Sequence, residues 1–240
     1  MASNSQPDAN ALKRAAAARA VDFVADGMKL GLGTGSTAEF FLELLAERMR
    51  DGLKIVGTPT SERTAGKARA LGIPIQDLDS LGSLDLVVDG ADEADFRLDL
   101  IKGGGGALLH EKIVAASAAR MVVIADETKL VDRLGAYPLP VEVVPFGHAS
   151  TKGRICAAAG PLGYENLSPA LRMKEGKPFL TDSGNYIYDC PFGAICDVPA
   201  LAAVLSPLVG VVEHGLFVGM ASALVIAGAG GVRVIERKMR

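Results

Sequence analysis

Short apolar runs that alternate with helical stretches constrain this 240-residue chain more than any other feature. The run Met28-Lys29-Leu30-Gly31-Leu32-Gly33, the segment 53–57, the run Leu84-Asp85-Leu86-Val87-Val88 and the run Met121-Val122-Val123-Ile124-Ala125 all have strand length. Helical spacing of apolar residues surrounds them: over 8–25, with Asp8 as N-cap, then through Phe40, Phe41, Leu44 and Leu45, over 62–71 and over 107–119. A further short strand is expected near Ile73. Continuous apolar strands separated by helices belong to parallel sheets covered on both faces. The pattern therefore predicts an α/β fold, a doubly wound, mostly parallel, Rossmann-like sheet that continues to about Val144. Ligands of such sheets bind at the carboxyl ends of the strands.

Beyond Pro145 the pattern changes. A helix over 149–159, short strands at 172–174, 178–181 and 185–189, a helix over 198–205 and a strand over 211–218 predict a small α+β region. The chain then returns through 221–227 and 232–236. The expected organisation is a catalytic domain of 1–145 plus 219–240, with a smaller inserted α+β domain at 146–218.

Three turns at strand ends carry residues suited to chemistry. After the first strand, Gly33-Thr34-Gly35-Ser36-Thr37 opens a helix, so backbone N–H groups, hydroxyls and the positive helix end converge as a phosphate nest would require. Gly33 to Ala38 also satisfies the loose dinucleotide pattern, but Thr58-Pro59-Thr60-Ser61 stands where a nicotinamide enzyme needs an acid for the ribose hydroxyls. No Gly-Lys-Ser/Thr follows, which excludes a Walker loop.

The second turn is Asp89-Gly90-Ala91-Asp92-Glu93-Ala94-Asp95. Carboxylates at a strand end bind sugar hydroxyls, exchange protons or hold a divalent cation. The position of Gly90 and the ligand order break the register of an EF-hand, and the plain alternative is an acidic surface turn. The third strand end, before Asp126-Glu127-Thr128-Lys129, places Lys129 just past it.

The stretch Lys102-Gly103-Gly104-Gly105-Gly106-Ala107-Leu108-Leu109-His110-Glu111 is the most unusual. Four consecutive glycines each lose much backbone entropy on folding, so a stable chain keeps them where side chains would block a ligand. A cation and a carboxylate bracket them, an anion stabiliser and a proton acceptor expected to face one pocket. Leu109, Ile113 and Ala116 form one apolar helix face, which turns Glu111 away from the core. The alternative is a flexible loop with Glu111 paired to a surface cation.

Composition limits the partners. A net charge of -3 with dispersed cations carries no footprint for nucleic acid or an anionic membrane. The apolar runs are shorter than a membrane span, and residues 1–8 lack the regions of a signal peptide and are expected to be a disordered lead-in. Three cysteines, Cys156, Cys190 and Cys196, without CxxC spacing argue against a disulfide framework or a zinc site and fit a cytoplasmic setting as buried or half-buried thiols. His148 and His214 are expected to pack or lie at the surface, and Lys13 taken alone is a solvated helix lysine.

Five blocks together resemble the type A family of ribose-5-phosphate isomerases: Gly33 to Thr37, Asp89 to Glu93, Lys102 to Gly105, Glu111-Lys112-Ile113 and Pro138 to Val143. They follow the order and approximate spacing of that family. The resemblance implies interconversion of ribose 5-phosphate and ribulose 5-phosphate in the non-oxidative pentose phosphate pathway, without metal or organic cofactor, in homodimers or sometimes tetramers. By motif it implies that Thr34, Gly35, Ser36 and Thr37 bind phosphate or substrate, with Lys13 helping at the phosphate. Asp89, Gly90, Ala91 and Asp92 fall at the sugar, Lys102, Gly103, Gly104 and Gly105 line the site, Glu111 is the catalytic base, and Lys129 binds substrate. Two other readings remain in view: a sugar-phosphate-sensing regulatory module, although only one helix precedes the first strand where a DNA-reading unit is needed, and an NAD-dependent oxidoreductase.

Overall fold

The computed structural model describes residues 8–237; the lead-in at 1–7 lies outside the described residues. By compactness the chain forms two units, Met1–Ala91 with Ile113–Leu130 and Met220–Arg240, and Asp92–Lys112 with Val131–Gly219. The second unit thus takes in 92–112 and 131–145 as well as the stretch expected to form the smaller domain.

The first unit is built on six strands in the spatial order Gly231–Glu236, Ala223–Gly228, Met121–Asp126, Leu86–Gly90, Lys29–Leu32, Val56–Pro59. Every neighbouring pair is parallel except the first, a closing hairpin. This is the mostly parallel α/β sheet that the apolar runs predict. From Lys29–Leu32 the chain places its next strand on one side and Leu86–Gly90 on the other. The strand ends at Gly33 and Asp89 therefore flank a topological switch point, where the connections diverge and leave room for a ligand.

Helix Ala9–Val21 begins at Asp8, whose side chain accepts from the Asn10 N–H at 3.2 Å, and it stops before the expected 25 at the Asp22 cap. Its buried residues Ala16, Ala17 and Ala20 are small, which lets it approach closely the helix Ser36–Arg50. That helix buries Phe41, Leu42 and Leu45 in a core shared with Leu30, Leu32, Leu86, Val88, Val122, Ile124 and Val225. Each such side chain contributes about 2 kcal/mol of burial energy. The strand expected near Ile73 is reduced to a single bridge between Gly57 and Ile75, because Pro74 has no N–H to extend a ladder.

The second unit is antiparallel. A four-stranded sheet runs Val211–His214, Leu139–Val143, Tyr186–Cys190, Ala170–Leu171, and a three-stranded sheet runs Leu216–Phe217, Leu100–Ile101, Glu93–Ala94. Leu139–Val143 is therefore not a continuation of the parallel sheet, contrary to the alternation that extends to Val144 in the sequence. The twelve residues between it and Met121–Asp126 hold no helix beyond the 3-10 turn Glu127–Lys129, and a parallel crossover usually takes one. Helices His148–Ala159 and Val198–Leu205 add Ile155, Ala159, Leu201 and Leu205 to the core of Leu139, Val141, Val143 and Tyr188.

The single strand expected over 211–218 is two strands in two sheets, broken at Gly215. There the Gly215 N–H donates to the Pro140 carbonyl at 2.7 Å, and its carbonyl accepts from the Lys102 N–H at 2.9 Å. The strand expected at 172–174 splits into Ala170–Leu171 and Met173–Lys174, and the one at 178–181 shortens to Lys177–Pro178. Among the described residues no helix is long and apolar enough to cross a membrane.

Candidate active site

In the second unit, strand Leu100–Ile101 delivers Lys102 directly into the glycine run, and the part of helix Leu108–Ala116 up to Lys112 carries Glu111 in its first turn. Lys102 Nζ and Glu111 Oε2 lie 3.5 Å apart, with side chains 3% and 4% exposed. The burial overturns the expected helix orientation. Leu108, Glu111, Val114 and Ala115 face inward, whereas Ile113 is 47% exposed and Ala116 is exposed. Leu108, Val114 and Ala115 make an apolar face as good as the one through Leu109 and Ile113, and Glu111 sits in its middle because a buried ammonium waits there. An ion pair in such surroundings loses several kcal/mol of hydration per ion, so stability is a poor reason to keep it. Buried, paired ionisable groups gather where chemistry needs them.

Neighbouring contacts hold this pair in place. Lys112 Nζ donates to the His214 carbonyl at 2.6 Å and to Glu213 Oε1 at 2.8 Å, tying the Glu111 helix to the strand that ends at Gly215. Both lysine ammoniums lie over the Phe217 ring, Lys102 at 5.5 Å and Lys112 at 5.0 Å from its centroid. Burial lowers the Lys112 pKa, and the Glu213 carboxylate partly offsets this. Burial also lowers His214, to about 4, with the Lys112 charge acting in the same direction. The His214 ring accepts the Leu216 N–H at Nδ1, at 3.3 Å, as a neutral imidazole must.

Asp92 meets the glycine loop through its side chain: Oδ2 accepts the Gly104 N–H at 2.7 Å. A Cβ on Gly104 would stand 2.5 Å from Asp92 Oδ1 and 2.6 Å from the Tyr137 hydroxyl, which is the close approach that requires glycine here. Burial raises the Tyr137 pKa, and the Asp92 charge raises it further. The remaining acids of the motif are structural. Glu93 accepts the N–H groups of Gly135 and Tyr137, both at 2.6 Å, and Asp95 Oδ1 accepts those of Arg97 and Asp99 at 2.9 Å.

In the first unit, Asp89 is buried at the end of Leu86–Gly90. Its Oδ1 accepts the Thr34 N–H at 3.0 Å and the Gly90 N–H at 2.8 Å. Gly33 is required because a Cβ there would lie 2.5 Å from the Asp89 Cα. The Thr34 hydroxyl joins Thr60, Ser61 and Thr64 at 2.7–2.9 Å, so the run that lacks a ribose-binding acid has its own work in fixing this turn. Gly35 precedes helix Ser36–Arg50 without a side-chain cap, and Lys13 Nζ donates to Ser36 Oγ at 3.0 Å. Ser36 is exposed, and Gly35, Thr37, Gly90 and Ala91 are half-buried. Lys129 closes the 3-10 turn after Met121–Asp126, beside the strand that ends at Gly90.

A sequence model of the family described as ribose 5-phosphate isomerase A (phosphoriboisomerase A) matches residues 56–231. The chain is 57% identical over 229 residues to the ribose-5-phosphate isomerase A of Nitrobacter hamburgensis, across 95% of this chain and 99% of that one. The chain belongs to the ribose 5-phosphate isomerase A family. Identity to the enzyme of that name from Rhodopseudomonas palustris strain TIE-1 is 58%, across 96% of this chain and 99% of the relative. A solved ribose 5-phosphate isomerase from Plasmodium falciparum superposes with a TM-score of 0.90 at 38% identity, over 96% of this chain and all of that one. Another, a D-ribose-5-phosphate isomerase in complex with phospho-erythronic acid, gives 0.89 at 39% identity, again over 96% and 100%.

For a ribose 5-phosphate isomerase A, the residues singled out in the sequence fall into two sets. Asp92, Lys102, Gly103 to Gly105 and Glu111 share the second unit, and Lys13, Thr34 to Thr37, Asp89 to Ala91 and Lys129 share the first. Sequence reasoning passed over Lys112, Tyr137 and the Thr60, Ser61 and Thr64 hydroxyls. The polar run after Val56–Pro59 was a visible signal for the hydroxyls; a lone tyrosine gave none. The isolated histidines do pack, His148 donating or accepting at the Tyr188 hydroxyl at 2.8 Å. His110 Nε2 meets Ser183 Oγ at 2.9 Å. Of the three cysteines, Cys196 is exposed rather than buried, while Cys190 is buried and Cys156 half-buried.

Proposed function

We infer that Glu111 is the proton acceptor in the aldose–ketose isomerisation of ribose 5-phosphate, the reaction that comes to this chain through its family. The carboxylate removes the hydrogen on C2 as a proton, the C1–C2 bond becomes double, and the carbonyl electrons move to O1 as an enediolate. Returning the proton to C1, while the proton on O2 passes to O1, gives ribulose 5-phosphate with no net gain or loss of protons. A weak carbon acid yields to a carboxylate only where the base is desolvated and aligned. The buried pair of Lys102 and Glu111, 3.5 Å apart, is the observation that supports this reading.

Charge growing on O1 and O2 is met by the Lys102 ammonium and by glycine-loop N–H groups, each well-aimed donor contributing about 3 kcal/mol. We assign the phosphate to the Thr34 to Thr37 turn, with its uncapped helix end and Lys13. Asp89, Gly90, Ala91 and Asp92 take the sugar hydroxyls, Asp89 exchanges the ring-oxygen or hydroxyl proton, Asp92 orients the sugar, and Lys129 contacts substrate. Holding the phosphate far from the reacting carbons supplies the binding energy for that alignment. The reading requires no metal or cofactor and includes a cytoplasmic homodimer or homotetramer, as the family resemblance implies.

Phospho-erythronic acid, with which one of the matched structures is in complex, is a phosphorylated acid whose carboxylate, like an enediolate, spreads negative charge over two oxygens. We expect it to bind this chain as a mimic of that intermediate. The deciding experiment is Glu111→Gln, nearly the same shape but unable to accept the proton. Turnover should fall by about three orders of magnitude or more, the scale of a general base, while calorimetry still detects ribose 5-phosphate binding. A Gln variant that turns over normally transfers the role of base to another group.

A further inference from the structure

The glycine loop is held from one side by a residue outside the sugar and phosphate motifs. Arg172 lies between the short strands Ala170–Leu171 and Met173–Lys174. Its Nε donates to Asp189 Oδ2 at 3.0 Å, and Nη2 donates to the other oxygen of the same carboxylate. The remaining terminal nitrogen, Nη1, donates to the Gly103 carbonyl at 2.8 Å and to the Gly104 carbonyl at 3.3 Å. Asp189 is fixed in turn by its strand, Tyr186–Cys190, in register with Leu139–Val143.

A trans peptide carries its carbonyl and the following N–H on opposite edges. Drawing the carbonyls of Gly103 and Gly104 toward Arg172 therefore turns the N–H groups of Gly104 and Gly105 the other way. The first of these ends on Asp92 Oδ2 at 2.7 Å. Glycine has no Cβ to bias the rotation of its peptides, so beside the internal turn bond from the Gly106 N–H to the Gly103 carbonyl at 3.0 Å the run takes its orientation from outside. The Phe179 ring adds a wall, filling the space a side chain on Gly106 would need and lying 6.0 Å from the Arg172 guanidinium.

We infer that Arg172, braced by Asp189, is a positioning residue for the isomerisation: it sets which way the glycine-loop amides point and, through Gly104, holds the Asp92 carboxylate. The inference rests on the reading of the Lys102 to Glu111 loop as the reacting site. It needs a planar fork with several fixed donors, which guanidinium has and ammonium lacks.

The test measures kcat and KM for ribose 5-phosphate, the Kd of phospho-erythronic acid and the melting temperature for Arg172→Lys and Asp189→Asn. Loss of one direct oxyanion donor costs about a hundredfold to a thousandfold in kcat, so an indirect loss in Arg172→Lys should cost about tenfold to a hundredfold. KM should change by less than about threefold, and affinity for the acid should fall in step with kcat/KM, because orientation matters most in the transition state. Asp189→Asn, which keeps the arginine and one good acceptor, should show a smaller loss of the same kind.

Unchanged kcat and unchanged acid affinity in either folded variant overturn the inference, as does a raised KM with kcat intact. Glu111→Gln assayed in parallel separates the two levels. Inactivity there beside a fully active Arg172→Lys sinks only the role of Arg172, whereas an active Glu111→Gln removes the reading beneath it.

Discussion

The turn from Gly33 to Thr37 and the loop from Lys102 to Glu111 both leave a strand end on glycine, and they are stiffened in different ways. The first is braced by neighbours at and just past the ends of adjacent strands of the parallel sheet: the Asp89 carboxylate on its amide, and hydroxyls from Thr60, Ser61 and Thr64 on Thr34. The second depends on clamps from distant parts of an antiparallel unit: Asp92 and Arg172 on the glycines, and the turn at Gly215 on Lys102. A turn made from the sheet is part of the core, so disturbing it costs stability. A clamped loop is adjustable, so disturbing it costs alignment.

Substitutions at the two close-approach glycines divide along this line. Gly33→Ala pushes a methyl against the Asp89 Cα, and a backbone inside the sheet has no room to yield. The expected cost is about 3 kcal/mol, the upper range of overpacking, seen in thermal melts as a drop of about 10 °C for a chain of this size. A melting temperature within a degree of the parent would break the comparison. Gly104→Ala meets only the ends of the Asp92 and Tyr137 side chains, which can swing aside. It should melt almost normally, yet lose about tenfold in kcat through displacement of Asp92, a 1.4 kcal/mol effect. Full activity with a lowered melting temperature would reverse the assignment of the two regions.

Acid sharpens the contrast with the smallest effect. Hydroxyls do not titrate between pH 4 and 8, but the clamp at Gly215 is joined by His214, whose pKa is lowered to about 4 by burial and by Lys112, with Glu213 opposing. The unfolded imidazole takes its proton near its usual 6.5 and the folded one resists until about 4. Stability from this group is thus complete above pH 6.5 and is lost as pH falls through that window. Between pH 7.5 and 5.5 the loss should be about 1 kcal/mol. Melts across that range for the parent and for His214→Gln check it, and an equal slope in both would rule His214 out.

The same division explains what the sequence made legible. The parallel sheet, its strand ends and the turn at Gly33 follow from patterns a few residues long, so apolar runs and turn chemistry were enough. Lys102, the glycines and Glu111 stand within ten positions of one another and could be picked out by composition alone. The facing of their helix could not, because Leu108 with Val114 and Leu109 with Ile113 offer rival apolar faces and only the buried ammonium chooses between them. Leu139–Val143 looked like one more parallel strand because its residues suit either kind of sheet; its partners, Tyr186–Cys190 and Val211–His214, come far later in the chain. Arg172 and Tyr137 carry no local sign that they meet the glycine loop. Within the acidic motif, spacing alone does not separate Asp89 and Asp92 from Glu93 and Asp95, whose carboxylates accept loop amides.

The grip of Arg172 on Gly103 spans 69 positions, and the carboxylate that steadies the arginine comes 17 positions later still. A nascent chain that has emerged only as far as Glu111 already owns both members of the buried ion pair, the Asp92 carboxylate on Gly104 and the turn bond from Gly106 to Gly103, but not the guanidinium that grips the glycine carbonyls. The last of the clamps therefore waits on synthesis of nearly four fifths of the polypeptide, and any fragment ending before Asp189 would hold its glycine loop without the braced arginine.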